Sequence, residues 1–95
     1  MNEFKQITRH LCLVYRAVRN APGWLSVAEV VKATKLPPRT VRALLKNLSD
    51  AGVFTAYSSH GGYRYKLMPA LQPSAKELTA RIHIAESLFG VTSDD

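Results

Sequence analysis

Arg39, Arg42 and Lys46 recur three and four residues apart, with Thr40, Ala43 and Asn47 between and after them. On a helix that spacing gathers the cations along one side. The chemistry open to such a side is anion recognition. A guanidinium presents two parallel N–H donors to a phosphate or to guanine O6 and N7, and an ammonium presents a point charge. Thr40, near the helix start, can contact a phosphate or a base, and Ala43 leaves room for close approach or a thymine methyl. Lys46 suits the nucleic-acid backbone better than the bases, and Asn47 completes the polar side. A second candidate contact is Ser59-His60-Gly61-Gly62, followed by Tyr63-Arg64. A small, flexible tip carrying His60, with Arg64 directly behind it, suits a minor groove or a phosphate row. The glycines would serve the turn in either case. An amphipathic helix also turns basic residues to water with no partner at all, so the order of the surrounding elements must decide.

Other chemistry lacks residues to rest on. No Ser–His–Asp pairing, paired acids in a cleft pattern or phosphate loop occurs, so neither an enzyme nor a cofactor is expected. His10, His60 and His83 fall in three different elements without an acidic residue at ligand spacing, which speaks against a metal. Cys12 is the single cysteine, which excludes a disulfide framework and a multi-cysteine metal site; it is expected as a small buried hydrophobe. Trp24 is expected in packing, and Tyr63 and Tyr65 are expected to cover the core.

The whole chain has 95 residues with a net charge of +6, and 46% hydrophobic against 21% charged residues, a globular balance for one domain. The charge is uneven. Residues 1–48 carry nine basic groups against two acidic ones, a net of +7, whereas residues 49–95 come to −1. Arg64 and Lys66 account for two of the four later basic groups, so the anion-binding face should combine the first half with that stretch. Nothing resembles a membrane span or a secretory signal, and a reducing cytoplasm is the expected setting.

The elements that must position these residues follow from period and punctuation. Phe4, Ile7, Leu11, Val14 and Val18 predict a helix over residues 3–20, stopped by Asn20-Ala21-Pro22-Gly23. Trp24 and Leu25 follow as a short extended piece. Ser26 and Glu29 form a capping box for a second helix that runs to about residue 34. Lys35-Leu36-Pro37 is a tight turn, and Pro38 suits the first position of a third helix, residues 38–51, closed by Gly52. Its inward stripe is Val41, Leu44, Leu45 and Leu48. A hairpin follows, with strands near residues 53–58 and 63–67. Pro69 and Pro73 bracket a connector, and a capping box of Ser74 and Glu77 opens a last helix to about residue 89.

This order predicts a mainly α protein with a small β-hairpin: a three-helix core, a two-stranded wing and an extra C-terminal helix, the winged helix-turn-helix. Residues 1–68 would be the DNA-binding domain, and residues 69–95 a connector and dimerisation helix. The segment Leu25-Ser-Val-Ala-Glu-Val-Val-Lys-Ala-Thr-Lys-Leu-Pro-Pro-Arg-Thr-Val-Arg-Ala-Leu-Leu-Lys-Asn-Leu-Ser-Asp-Ala-Gly-Val53 resembles the MarR, IclR and Rrf2 types of bacterial winged-helix regulator. The wing Gly61-Gly62-Tyr63-Arg64 is most similar to Rrf2-type regulators. Residues 68–95 contain no cysteine, so the iron–sulfur cluster of that type is not implied.

The last helix offers Leu78, Ile82, Ala85 and Phe89, with Ile84 and Leu88 beside them, more apolar surface than one small core requires. Either it folds back on the first helix or it meets its twin across a two-fold axis; the twin is the expectation. Such a dimer reads half-sites roughly 34–36 Å apart. The sequence therefore points to a small homodimeric repressor on a palindromic double-stranded DNA operator. It would read the major groove with residues 38–51 and the minor groove or backbone with the wing, residues 58–66. On this reading no separate sensor domain fits. A winged-helix adaptor for an acidic protein, and a replication or partition accessory, are the alternatives.

Overall fold

Thr8 opens the first helix, α1 (Arg9–Asn20), because its extended backbone and Oγ1, which accepts the Leu11 N–H at 3.1 Å, satisfy the helix start. The computed structural model describes residues 7–91. The expected start of this helix at Glu3, and Phe4 with it, lies outside them. Ile7 and Thr8 themselves are not helical. Leu11, Val14, Tyr15 and Val18 turn inward, and the buried Cys12 thiol faces the Ile82 carbonyl at 4.0 Å.

β1 (Leu25–Ser26) leads straight into α2 (Val27–Thr34) through the expected capping box. Ser26 Oγ accepts the Glu29 N–H at 3.2 Å, and Glu29 Oε1 accepts the Ser26 N–H at 2.8 Å. Lys35 then takes a left-handed conformation at φ 63°, and its N–H donates to Val31 O at 2.7 Å. The turn buries Leu36 and delivers Pro38 to the first position of α3 (Pro38–Asp50). Val41, Leu45 and Leu48 of α3 are wholly buried, and Leu44 is half-buried. Gly52 at φ +84° lets its own N–H reach Ser49 O and the Val53 N–H reach Leu48 O, at 3.0 and 2.9 Å. That reversal buries Val53 and launches the sheet.

β2 (Phe54–Ser59) and β3 (Gly62–Leu67) form the hairpin, with Ala56 opposite Tyr65 and Tyr57 opposite Arg64. The expected two-stranded wing is in fact part of a three-stranded antiparallel sheet ordered β1-β3-β2. Leu25 pairs with Tyr65 and Ser26 with Arg64, so β1 occupies the free edge of β3 and ties the hairpin to the start of α2. Tyr65 is buried, but Tyr63 is 57% exposed and does not cover the core. Tyr63 stands opposite Ser58, one pair beyond the stretch of β3 that β1 covers.

The connector leads to α4 (Pro73–Phe89), which starts two residues earlier than the expected cap at Ser74 implies. Pro73 takes its first position, and Ser74 is already helical, so the Ser74–Glu77 capping box does not form. The helix folds back on α1 of its own chain. Leu78, Ile82 and Ala85, expected at a dimer contact, are instead buried in the chain's own core with Val14, Val18 and Phe54. Ile84, Leu88 and Phe89 stay outside, 65%, 80% and 41% exposed. Arg16 is buried on α1, and Arg19 turns toward α4, where it meets Glu86 at 3.6 Å. These two charges of the basic first half belong to α1 packing.

Candidate nucleic-acid interface

With Val41, Leu45 and Leu48 turned inward, α3 presents Arg39, Arg42, Ala43, Lys46 and Asn47 to solvent, and Thr40 is half-buried near its start. No side chain caps this helix. Pro37 and Pro38 carry no N–H, so the unpaired donors of the first turn are those of Arg39 and Thr40. These are the donors a phosphate would seek. Lys46 already has a neighbour: its Nζ lies 3.0 Å from Asp50 Oδ2, one turn on, with both side chains mostly exposed.

The wing tip exposes His60 and Gly61, and Ser59 Oγ donates to Gly62 O at 3.1 Å across the turn. Arg64 does not project from the tip. Its Nη1 lies 3.8 Å from Glu29 Oε1 at the start of α2, and its side chain is 35% exposed. Between α2, α3 and the hairpin runs an open cleft of about 960 Å³ with Val27, Val31, Pro38, Ala56, Tyr63 and Tyr65 among its walls. Arg42, Lys46 and Arg64 also line it, so the fold brings these three expected cations together. Arg39, Thr40, Ala43 and Asn47 occupy the rest of the α3 surface, and His60 stands at the tip beside the cleft-lining Gly61. Burial, with Tyr63 adding to it and Lys46 opposing, holds the Tyr65 phenol above its ordinary range, so it stays neutral.

Glu29 and Tyr63 are the residues that sequence reasoning missed here. The capping box announced Glu29 as a helix starter, but its approach to Arg64 depends on the pairing of β1 with β3. The remaining candidates take structural places. Trp24 packs edge-on against Tyr57, ring centroids 4.7 Å apart. His83 meets the Tyr15 hydroxyl at 3.0 Å, between α4 and α1. Burial, and the Glu86 charge after it, push the Cys12 thiol up to about 11. Among the described residues no three His, Cys, Asp or Glu side chains gather as a metal site, and no helix is long and apolar enough to cross a membrane.

No protein-family model and no curated protein sequence matches the chain. Solved structures do. BpsR of Bordetella bronchiseptica, whose DNA binding is regulated by 6-hydroxynicotinic acid, is similar at 25% identity and a TM-score of 0.62, over 95% of this chain and 66% of its own. A Mycobacterium tuberculosis MarR family protein in complex with p-aminosalicylic acid is similar at 22% identity and a TM-score of 0.55, over 93% of this chain and 68% of its own. A MarR family protein from Bacillus stearothermophilus reaches 16% identity and a TM-score of 0.56, over 96% of this chain and 65% of its own. The chain thus spans about two thirds of the length of these proteins, and it has the fold of the winged helix-turn-helix regulators.

Proposed function

We propose that this chain is a sequence-specific double-stranded DNA-binding transcription regulator. Its simplest mode is that of a small repressor occupying a palindromic operator as a homodimer. The observation that carries the proposal is the convergence of Arg42, Lys46 and Arg64 on one cleft between α3 and the wing. An α-helix fits the major groove, and its first turns lie nearest the base edges. Arg42 then reads a base, Arg39 and Lys46 take phosphates, and Ala43 lets the helix approach. The unpaired N–H groups of Arg39 and Thr40 add a phosphate seat. The wing lies along the adjacent backbone or minor groove, with His60 leading and Arg64 at its base. The likeness to structures of DNA-binding and MarR family proteins supports the same assignment.

The test is selection of bound sequences from a random duplex pool. A palindrome with half-sites one helical turn apart, roughly 34–36 Å, is the expected result. On the selected duplex, Arg42→Ala costs about 1–3 kcal/mol and relaxes one base preference. Lys46→Ala weakens all sequences alike and lowers the salt slope by about one. No enrichment, together with no salt-dependent duplex binding, overturns the proposal in favour of an adaptor that meets an acidic protein.

A further inference from the structure

Glu29 faces two ways with one carboxylate oxygen. Oε1 accepts the Ser26 N–H at 2.8 Å and lies 3.8 Å from Arg64 Nη1. The backbone arranges this meeting, since Ser26 pairs with Arg64 across β1 and β3 while also capping α2. Arg64 Nη2 lies 3.9 Å from where a Cβ on Gly61 would stand, so the guanidinium lies beside the wing tip without bonding to it. The hydrogen bonds from Ser26 first, and Arg64 after them, hold the Glu29 carboxyl below the usual carboxylate range, so it is an anion at neutral pH.

We infer that Glu29 is a positioning residue for DNA reading: through Arg64 it fixes the wing against the helix-turn-helix, and so sets where the wing meets DNA relative to α3. The inference rests on the DNA-reading function proposed above. The β1–β3 pairing ends at Ser26 and Arg64, so the tip beyond it is held only by the hairpin ladder and can pivot, and a pivoting tip meets matched and unmatched duplexes with equal ease. A guanidinium carried by the wing and faced by Glu29 at the start of α2 restricts that pivot. It also keeps Arg64 beside the cleft, facing Arg42 and Lys46, rather than extended from the tip. The acid in this basic surface is therefore a selectivity element: it gives up some general attraction to DNA and fixes the geometry that discriminates.

Glu29→Gln separates this role from capping, because glutamine still accepts the Ser26 N–H while losing the charge that faces Arg64. Binding of the selected duplex and of a scrambled duplex is measured by fluorescence anisotropy for the parent, Glu29→Gln, Arg64→Ala and the double variant. Glu29→Gln is expected to lower the ratio of the two affinities roughly threefold, the scale of an exposed ion pair. In the Arg64→Ala background the same change is expected to do nothing further. Backbone NMR order parameters at His60, Gly61 and Gly62 should fall in Glu29→Gln without DNA present. An unchanged affinity ratio, or an equal effect of Glu29→Gln with and without Arg64, overturns the inference and leaves Glu29 as a helix cap. If the parent itself does not discriminate between duplexes, the DNA-reading function fails instead. The order parameters then still decide whether Glu29 holds the wing, and no change in them overturns the inference.

Discussion

Lys46 and Asp50 face each other at 3.0 Å across one turn of α3, in a helix whose other exposed charges are all basic. An exposed pair of this kind contributes little to stability, at most about 1 kcal/mol, so its weight falls on binding. Asp50→Asn frees Lys46 and removes an anion from the surface proposed to meet phosphate. It should raise the affinity for every duplex about two- to threefold near 0.1 M salt, with little change in base preference; anisotropy titrations at several salt concentrations measure both. Cys12 gives a prediction of a different kind. Its thiol rises from the ordinary 9.0 to about 11 through burial. Below pH 9.0 it is neutral in both folded and unfolded chains and contributes no pH dependence. Between 9.0 and about 11 only the unfolded chain loses the proton, so this component of stability falls as pH rises. Urea unfolding of the parent and Cys12→Ala should therefore converge in midpoint as pH rises from about 9 toward about 11. The exposure of Arg42 and the burial of Cys12 were legible in the sequence because a single helical period decides each. The partners of Lys46 and Arg64 differ in this respect. The first is a same-helix neighbour that the charge count passed over, and the second is set by a strand pairing no local pattern announces.

Capping and reversal control the elements on which these residues stand. Ser26 serves β1, the start of α2 and, through Glu29, the wing. Ser26→Ala should cost about 1 kcal/mol in thermal or urea unfolding. Glu29 is held below the ordinary carboxylate range, so what its anion contributes is fully present above that range and is lost as pH falls through the lowered folded value. The acid limb of a stability–pH curve should accordingly be shallower for Ser26→Ala than for the parent. Gly52 is the second control point. At φ +84° an alanine is strained even though its Cβ would meet Ala75 Cβ at an ordinary 3.8 Å. Gly52→Ala should therefore destabilise by about 1 kcal/mol or more. The helix punctuation was largely readable, since Ser26, Pro38 and Gly52 each do locally what their chemistry suggests. At Ser74 two start signals stood side by side, and Pro73 took the first helical position. The third strand was hidden for another reason. Leu25 and Ser26 form too short a run to show alternation, and they are a strand only because β3 has a free edge beside them.

For the whole molecule, the decisive division runs along α4. Ile82 is wholly buried against α1, while Ile84 and Leu88, two and six residues on, are 65% and 80% exposed. The sequence offered one undivided apolar helix. Only the packing of α1 reveals which part completes the chain's own core and which remains uncovered. Ile84 and Leu88 border a shallow groove with Ile7, Arg81 and Ala85. The homodimer proposed here would bury that surface and hold two reading heads at a fixed separation. Two substitutions on the same helix separate folding from assembly. Ile82→Ala should cost about 2–5 kcal/mol in unfolding, because it opens a cavity in the core shared by α1 and α4. Leu88→Glu should leave the protomer's stability within about 0.5 kcal/mol, since a surface substitution disturbs little of the chain's own packing. Its effect should appear in sedimentation, where the parent runs at twice the chain mass and Leu88→Glu at the chain mass. The affinity of Leu88→Glu for a palindromic duplex should fall toward that of one half-site, because the second contact no longer profits from the first. A parent that sediments at the single-chain mass at micromolar concentration while fully folded would remove the dimer, and with it the reason for a palindrome. The reading face of α3 would then have to act one copy at a time.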